Sequence, residues 1–218
     1  MILTYIKSWR RVVILITLVL ASLFKLITAF IMANHVLYVV ESPDQRYRVK
    51  ISQERGWELV QRYVYLDVDF NEKPFIKKEL LFSGDFMDGE FQEYYPRKSW
   101  LAPNILVIGR NQKNNKETIT IRNTSNATFK YVLIENYSDK FFIFNLEPNS
   151  TADLEFDYRD VLSVQAESIN GERFGTAILI ANEVKRGSEF LITLDGQNIN
   201  IENSLNKLIN IRCCDIRR

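Results

Sequence analysis

The side chains able to do chemistry are few, and their spacing suits little of it. His35 is the single histidine of the chain. It closely follows the apolar stretch Val12 to Ala33, a place that suits neither a Ser-His-Asp triad nor a histidine-based zinc site, and it reads as an interfacial residue beside the headgroups. Cys213 and Cys214 are adjacent, so their Cα atoms lie about 3.8 Å apart, below the disulfide range of about 4.4–6.8 Å. A bridge between them would be strained. Either both thiols stay reduced in a terminal tail, or one of them makes an intermolecular disulfide.

Asp85, Asp88 and Glu90 gather around Gly89, but the D-x-D-x-D-G spacing of a calcium loop is absent, so the segment reads as a solvated turn. Asp67 and Asp69 share one face of a strand, which is ordinary for the wet side of a sheet. The chain has no G-x-x-x-x-G-K, G-x-G-x-x-G or G-x-S-x-G motif, so neither a phosphate loop nor a nucleophile elbow is indicated. No cofactor and no enzymatic activity are expected. Asn123, Asn126, Asn136 and Asn149 each open an N-x-[ST] triplet, which in a secreted protein would mark exposed turns.

One segment combines rings and charge. Phe86, Phe91, Tyr94, Tyr95 and Trp100 are interleaved with Asp85, Asp88, Glu90 and Glu93. Aromatics rimmed by acids can form a protein-recognition surface, so Asp85, Phe86, Asp88, Glu90, Phe91, Tyr94 and Tyr95 are the candidate binding residues.

These residues need a scaffold, and composition bounds it. The chain has 218 residues, 46% hydrophobic and 25% charged, the balance of a folded protein. Lys plus Arg (28) nearly cancels Asp plus Glu (27), which leaves no field to attract nucleic acid. Residues Val12 to Ala33 are almost wholly apolar and follow Lys7, Arg10 and Arg11. About 22 residues span roughly 33 Å as a helix, enough for one bilayer crossing. Lys25 would snorkel toward the headgroups. Poor cleavage sites favour an uncleaved anchor, and the basic cluster before it puts the N-terminus in the cytoplasm and the rest outside it.

Beyond the helix, short alternating segments predict strands. In Tyr63 to Phe70, Val64, Leu66, Val68 and Phe70 point one way and the Tyr and Asp residues the other. Tyr47–Ile51, this segment and Ile76–Phe82 form a meander, with Ile105–Ile108 as a fourth strand. After the polar stretch 110–116 come Thr118–Arg122, Phe129–Glu135, Phe141–Leu146, Ala152–Phe156, Val161–Ala166, Thr176–Ile180 and Phe190–Leu194. Leu205, Leu208 and Ile209 then have helical spacing behind an Asn203-Ser204 cap. The expected fold is therefore mainly β: a transmembrane helix (1–35), an antiparallel sheet module (36–110), and a β-sandwich with a short C-terminal helix (111–218).

Ser42-Pro43-Asp44-Gln45-Arg46-Tyr47-Arg48-Val49 resembles the Ser-Pro-Asp-Gly-x-Tyr strand openings of exported β-modules and propeller blades, with Gln45 in place of the usual Gly. Trp100 to Ile108 is similar to the Trp-containing strand that accompanies them. Ile119 to Ser125 and Phe142 to Ser150 resemble opening strands of immunoglobulin-like sandwiches. These likenesses imply a fold and not a function. The functional expectation is a membrane-anchored structural or interaction protein whose partners are the bilayer and another envelope or exported protein. The alternative is an immunity-type module that occludes an exported toxin.

Overall fold

The computed structural model describes residues 2–31, 35–55, 61–84, 91, 93, 95–109, 117–136, 139–156, 161–179, 190–195 and 199–203. It is mainly β. The chain forms two compact units, one of residues 1–39, 49–68 and 76–87, the other of residues 40–48, 69–75 and 88–218.

The first unit opens with α1 (Ile2–Ile31). No Gly or Pro interrupts this segment, and Thr17 Oγ1 donates to the Val13 carbonyl at 2.9 Å, satisfying its hydroxyl within the helix. Among the described residues no helix is long and apolar enough to cross a membrane. The helix side chains described as a continuous run are those of residues 12–26. Lys25 falls within that run. This corrects the expected single-pass anchor at 1–35, and with it the cytoplasmic N-terminus and the extracytoplasmic domain. The side chains of Lys7, Arg10 and Arg11, the other expected anchor residues, lie outside the described residues.

β1 (His35–Glu41), β2 (Tyr47–Arg55), β3 (Arg62–Phe70) and β4 (Lys73–Gly84) make a four-stranded sheet in the order β1-β2-β3-β4. The alternation read in Tyr63 to Phe70 is present, with Val64, Leu66 and Val68 buried. β4 breaks period two: Ile76 and Leu81 are both buried although five positions apart. Lys78 explains it, for its φ is +55° and its amide donates at 2.9 Å to Asp67 Oδ1. A left-handed residue whose amide bonds a side chain steps out of the alternation, so the side chains after it can return to the buried face.

In the second unit, β5 (Arg97–Ala102), β6 (Ile105–Gly109), β8 (Phe129–Glu135), β9 (Asp139–Leu146), β11 (Val161–Ser168) and β12 (Arg173–Leu179) form a six-stranded sheet ordered β12-β11-β8-β9-β6-β5. β6 pairs with β9, so this sheet draws strands from both sides of residue 110. The polar stretch 110–116 lies outside the described residues. β7 (Glu117–Asn123), β10 (Thr151–Phe156), β13 (Phe190–Leu194) and β14 (Ile199–Asn203) form a second sheet ordered β10-β7-β13-β14. One core joins the two: Val107, Val132, Ile134, Phe141 and Ile143 from the first pack with Ile119, Ile121, Leu154 and Ile192 from the second.

One further expectation, that the strands beyond residue 36 all pair antiparallel, is corrected. The sandwich is not wholly antiparallel, because β13 lies parallel to β7 with Ile192 opposite Ile121. This is possible because the chain between them forms strands of the other sheet and an antiparallel neighbour, a long crossover of the kind parallel pairing requires. Residues 199–203 form a strand that periodicity did not predict, β14, antiparallel to β13. Leu205, Leu208 and Ile209 lie outside the described residues.

The central strands of the six-stranded sheet, β6, β8 and β9, are buried on both faces. The residues alternating with their core side chains, namely Leu106, Ile108, Tyr131, Leu133, Phe142 and Phe144, are also buried. Continuous runs such as Phe-Phe-Ile-Phe at 141–144 are what a strand covered on both sides requires.

Candidate functional site

The turn before β2 is built by three polar side chains. Ser42 Oγ donates to Asp44 Oδ1 at 2.6 Å and accepts the Tyr47 amide at 3.0 Å. Asp44 Oδ1 also accepts the Arg46 amide at 3.2 Å, while Oδ2 pairs with the Arg46 guanidinium. The Asp side chain therefore caps the turn as the Ser-Pro-Asp motif implies. Gln45 takes φ +59°, the conformation that the usual glycine would adopt without strain.

The Ser42 hydroxyl and then Arg46 hold the Asp44 carboxyl at about 2, below its ordinary 3.8. A depressed carboxylate stabilises the fold above its unfolded pKa and loses that contribution as pH falls through the folded value. Asp44→Asn should therefore lower the midpoint of chemical unfolding at neutral pH. The gap to the native protein should close between about pH 4 and about pH 2. A gap of constant size across that window would show that the turn does not depend on the charge.

The turn delivers Tyr47 onto the outer face of the six-stranded sheet. Its ring lies 5.1 Å from Phe144 and 6.2 Å from Trp100, both stacked, and 4.9 Å from Phe70. Phe75 stands 6.1 Å away, edge-on. Burial pushes the Tyr47 phenol up to about 12, so it stays neutral. Rings at these separations gain about 0.5–1.5 kcal/mol per pair beyond the area they bury. This cluster is what covers Phe144, and its chemistry is packing.

Two buried polar centres hold the sandwich loops. Asn123 is fully buried. Its Nδ2 donates to the Ala127 carbonyl at 2.8 Å and the Leu146 carbonyl at 3.0 Å, and its Oδ1 accepts the Ser125 amide at 3.0 Å and the Ser125 hydroxyl at 2.7 Å. Every hydrogen-bonding position of the amide is used. Glu167, also buried, accepts Lys130 Nζ at 2.9 Å and Arg173 Nε at 2.7 Å. Lys130 Nζ also lies 5.8 Å from the Phe75 ring centroid. A buried carboxylate bonded to two cations is compensated locally, which suits a structural post.

The expected recognition segment is only partly visible. Asp85, Phe86, Asp88, Glu90 and Tyr94 lie outside the described residues, as do Cys213 and Cys214. Phe91 and Tyr95 are described and buried, with ring centroids 5.2 Å apart and Lys98 Nζ 5.7 Å from the Phe91 ring. They pack inward and do not themselves present a surface. Among the described residues no group of three or more His, Cys, Asp or Glu is arranged to hold a metal ion. His35 opens β1 at the surface. Of the four Asn triplets, Asn126 and Asn149 are exposed, while Asn136 is half-buried and accepts the Asp139 amide at 2.6 Å.

The most unusual surface belongs to α1. Its apolar side chains between Val12 and Leu26 are exposed on all sides, from 45% at Val13 to 68% at Leu26. Hydrophobicity gave the position of this surface directly, whereas the Asn123 hub was hidden inside an Asn-Thr-Ser turn signal.

The architecture defines a class: a β-rich chain with a doubly covered six-stranded sheet and an apolar helix. Compared with protein families, curated proteins and solved structures, the chain matches none.

Proposed function

We propose that this is a non-enzymatic structural or interaction protein that acts by binding another protein, with α1 as the docking element. The observation carrying this is the exposure of Val12 to Leu26. Monomeric proteins rarely expose contiguous apolar patches beyond a few hundred Å², and a helix apolar all round is stable only when enclosed. Covering it gains about 25 cal/mol for each Å² removed from water. Residues 2–31 contain Lys7, Arg10, Arg11 and Lys25 and no acid, so a parallel second copy would align like charges. A partner with an apolar groove and acidic rim fits better.

A photo-crosslinking residue at Leu18 or Leu23 of the full-length chain, irradiated in the source cells, should give one discrete protein adduct. Leu15→Glu with Val19→Glu should abolish it while leaving the far-ultraviolet dichroism of the β-rich part unchanged. Crosslinking to lipid alone, or spontaneous partition of the purified chain into vesicles of neutral and anionic phospholipid with no protein adduct in cells, would overturn the proposal.

A further inference from the structure

Asn170-Gly171 is the single Asn-Gly dipeptide in the chain, and it forms the tip of the hairpin joining β11 to β12. We infer that Asn170 is a site of spontaneous covalent conversion, in which the side-chain amide is lost and an aspartyl or isoaspartyl residue is left. The reagent is water alone.

The reaction needs a backbone nitrogen able to reach the Asn carbonyl carbon, with no side chain obstructing it. In the first step the deprotonated Gly171 nitrogen attacks Asn170 Cγ. A Cγ–N bond forms, the Cγ–Nδ2 bond breaks, and ammonia leaves with the proton that solvent returns. The product is a five-membered succinimide. Water then opens it at either carbonyl, giving aspartate or isoaspartate. The sum is amide plus water to acid plus ammonia, with nothing oxidised or reduced.

Three observations place this chemistry at Asn170. Both residues are exposed, so water and base reach them. Gly171 takes φ +86° and carries no side chain, so no Cβ stands beside the nitrogen that attacks. Among the described residues, the asparagines with φ above zero, Asn71, Asn145 and Asn149, are followed by Glu72, Leu146 and Ser150, whose side chains hinder the same attack.

The fold also sets the pace. The Gly171 amide donates to the Ser168 carbonyl at 2.9 Å and must release it before attacking. The turn is anchored by the Ser168 amide to the Glu172 carbonyl at 2.8 Å, by the Glu172 amide to Ser168 Oγ at 3.2 Å, and by the Ile169 amide to the Thr128 carbonyl at 3.1 Å. Conversion in the folded protein therefore proceeds through local opening and is slower than in an unfolded chain. The isoaspartyl product adds one carbon to the main chain of a turn whose closure is set by these bonds. It should loosen the edge strand β12 from β11.

The test incubates the full-length native protein at mildly alkaline pH and maps its peptides by mass. A synthetic peptide of residues 166–175 serves as the unfolded reference, and isoaspartyl methyltransferase labels the product. The expected result is conversion at Asn170 ahead of every other Asn, slower than in the peptide. It should be abolished by Asn170→Gln and slowed at least tenfold by Gly171→Ala. No conversion at Asn170 after the peptide has converted completely would overturn the inference, as would equal conversion at Asn126 or Asn149.

Discussion

Asn123→Asp should be among the most destabilising single-atom-scale changes available in this protein, at about 3–5 kcal/mol, the cost of an uncompensated buried charge. The amide donates to two main-chain carbonyls, of Ala127 and Leu146. A carboxylate of the same shape has no hydrogen to offer and sets a negative oxygen against both. Asn123→Ala removes the donors without adding charge and should cost about 2–4 kcal/mol, because the two carbonyls and the Ser125 amide each lose a buried partner.

The comparison is read by equilibrium denaturation across pH. Burial and the facing carbonyls should raise the folded pKa of the new Asp above its unfolded value of about 3.9. The protonated acid recovers one donor, so the Asp variant should approach the Ala variant below about pH 4 and fall away from it above. The Asp44 contribution is present in both proteins and cancels. A cost below about 1 kcal/mol for both variants would show that water replaces the amide and that Asn123 is no hub.

The second large effect is expected from Phe144→Ala, at about 3–5 kcal/mol. Phe144 is fully buried and stacks on Tyr47 at 5.1 Å and on Phe142 at 6.0 Å, with Trp100 at 5.9 Å. Its backbone is pinned as well, the amide donating to the Asn104 carbonyl at 2.8 Å and the carbonyl accepting Asn104 Nδ2 at 3.1 Å. A strand held on both edges cannot collapse into the space a ring leaves, so the cavity persists and its cost adds to the lost transfer energy. Phe144→Leu refills part of the space but gives up the ring pairs, so it should cost about 1–3 kcal/mol, clearly less than the Ala variant.

If the outer face of this sheet were wet, the two substitutions would instead cost nearly the same and little. Urea denaturation of both variants therefore tests the doubly covered sheet, with the difference between them as the readout. Tryptophan fluorescence gives a local check, since Trp100 borders the cavity. Its emission should change in Phe144→Ala before any global unfolding.

What could be read without coordinates follows from how local each signal is. Val64, Leu66 and Val68 declare their common face by period two alone, and Ser-Pro-Asp declares a turn through side chains that bond within five positions. β8 and β13 have the bounds that periodicity predicts. β5 was less legible, because Arg-Lys-Ser-Trp-Leu-Ala mixes charge and ring along an edge strand and carries a register shift between Trp100 and Ala102. β14 went unread, since Ile-Asn-Ile-Glu-Asn offers only two apolar positions to declare a period. The candidate recognition residues were chosen by composition, and composition does not say which way Phe91 and Tyr95 turn.

The sequence by itself determined the β character of the chain, the wet and dry faces of β3, the turn at Asp44 and the apolar run of α1, because each depends on neighbours a few residues away. Only the tertiary structure decided that β13 runs parallel to β7, that Phe142 and Phe144 need cover on the second face of their sheet, and that Asn123 is a buried hub and not a surface acceptor. Those outcomes rest on partners such as Leu146, 23 positions from Asn123, and Leu194, 70 positions from Thr124. No local period records which distant strand arrives. The helix shows both limits: its hydrophobicity was plain from the residues, while its exposure on all sides, and the absence among the described residues of a helix long and apolar enough to cross a membrane, came from the fold.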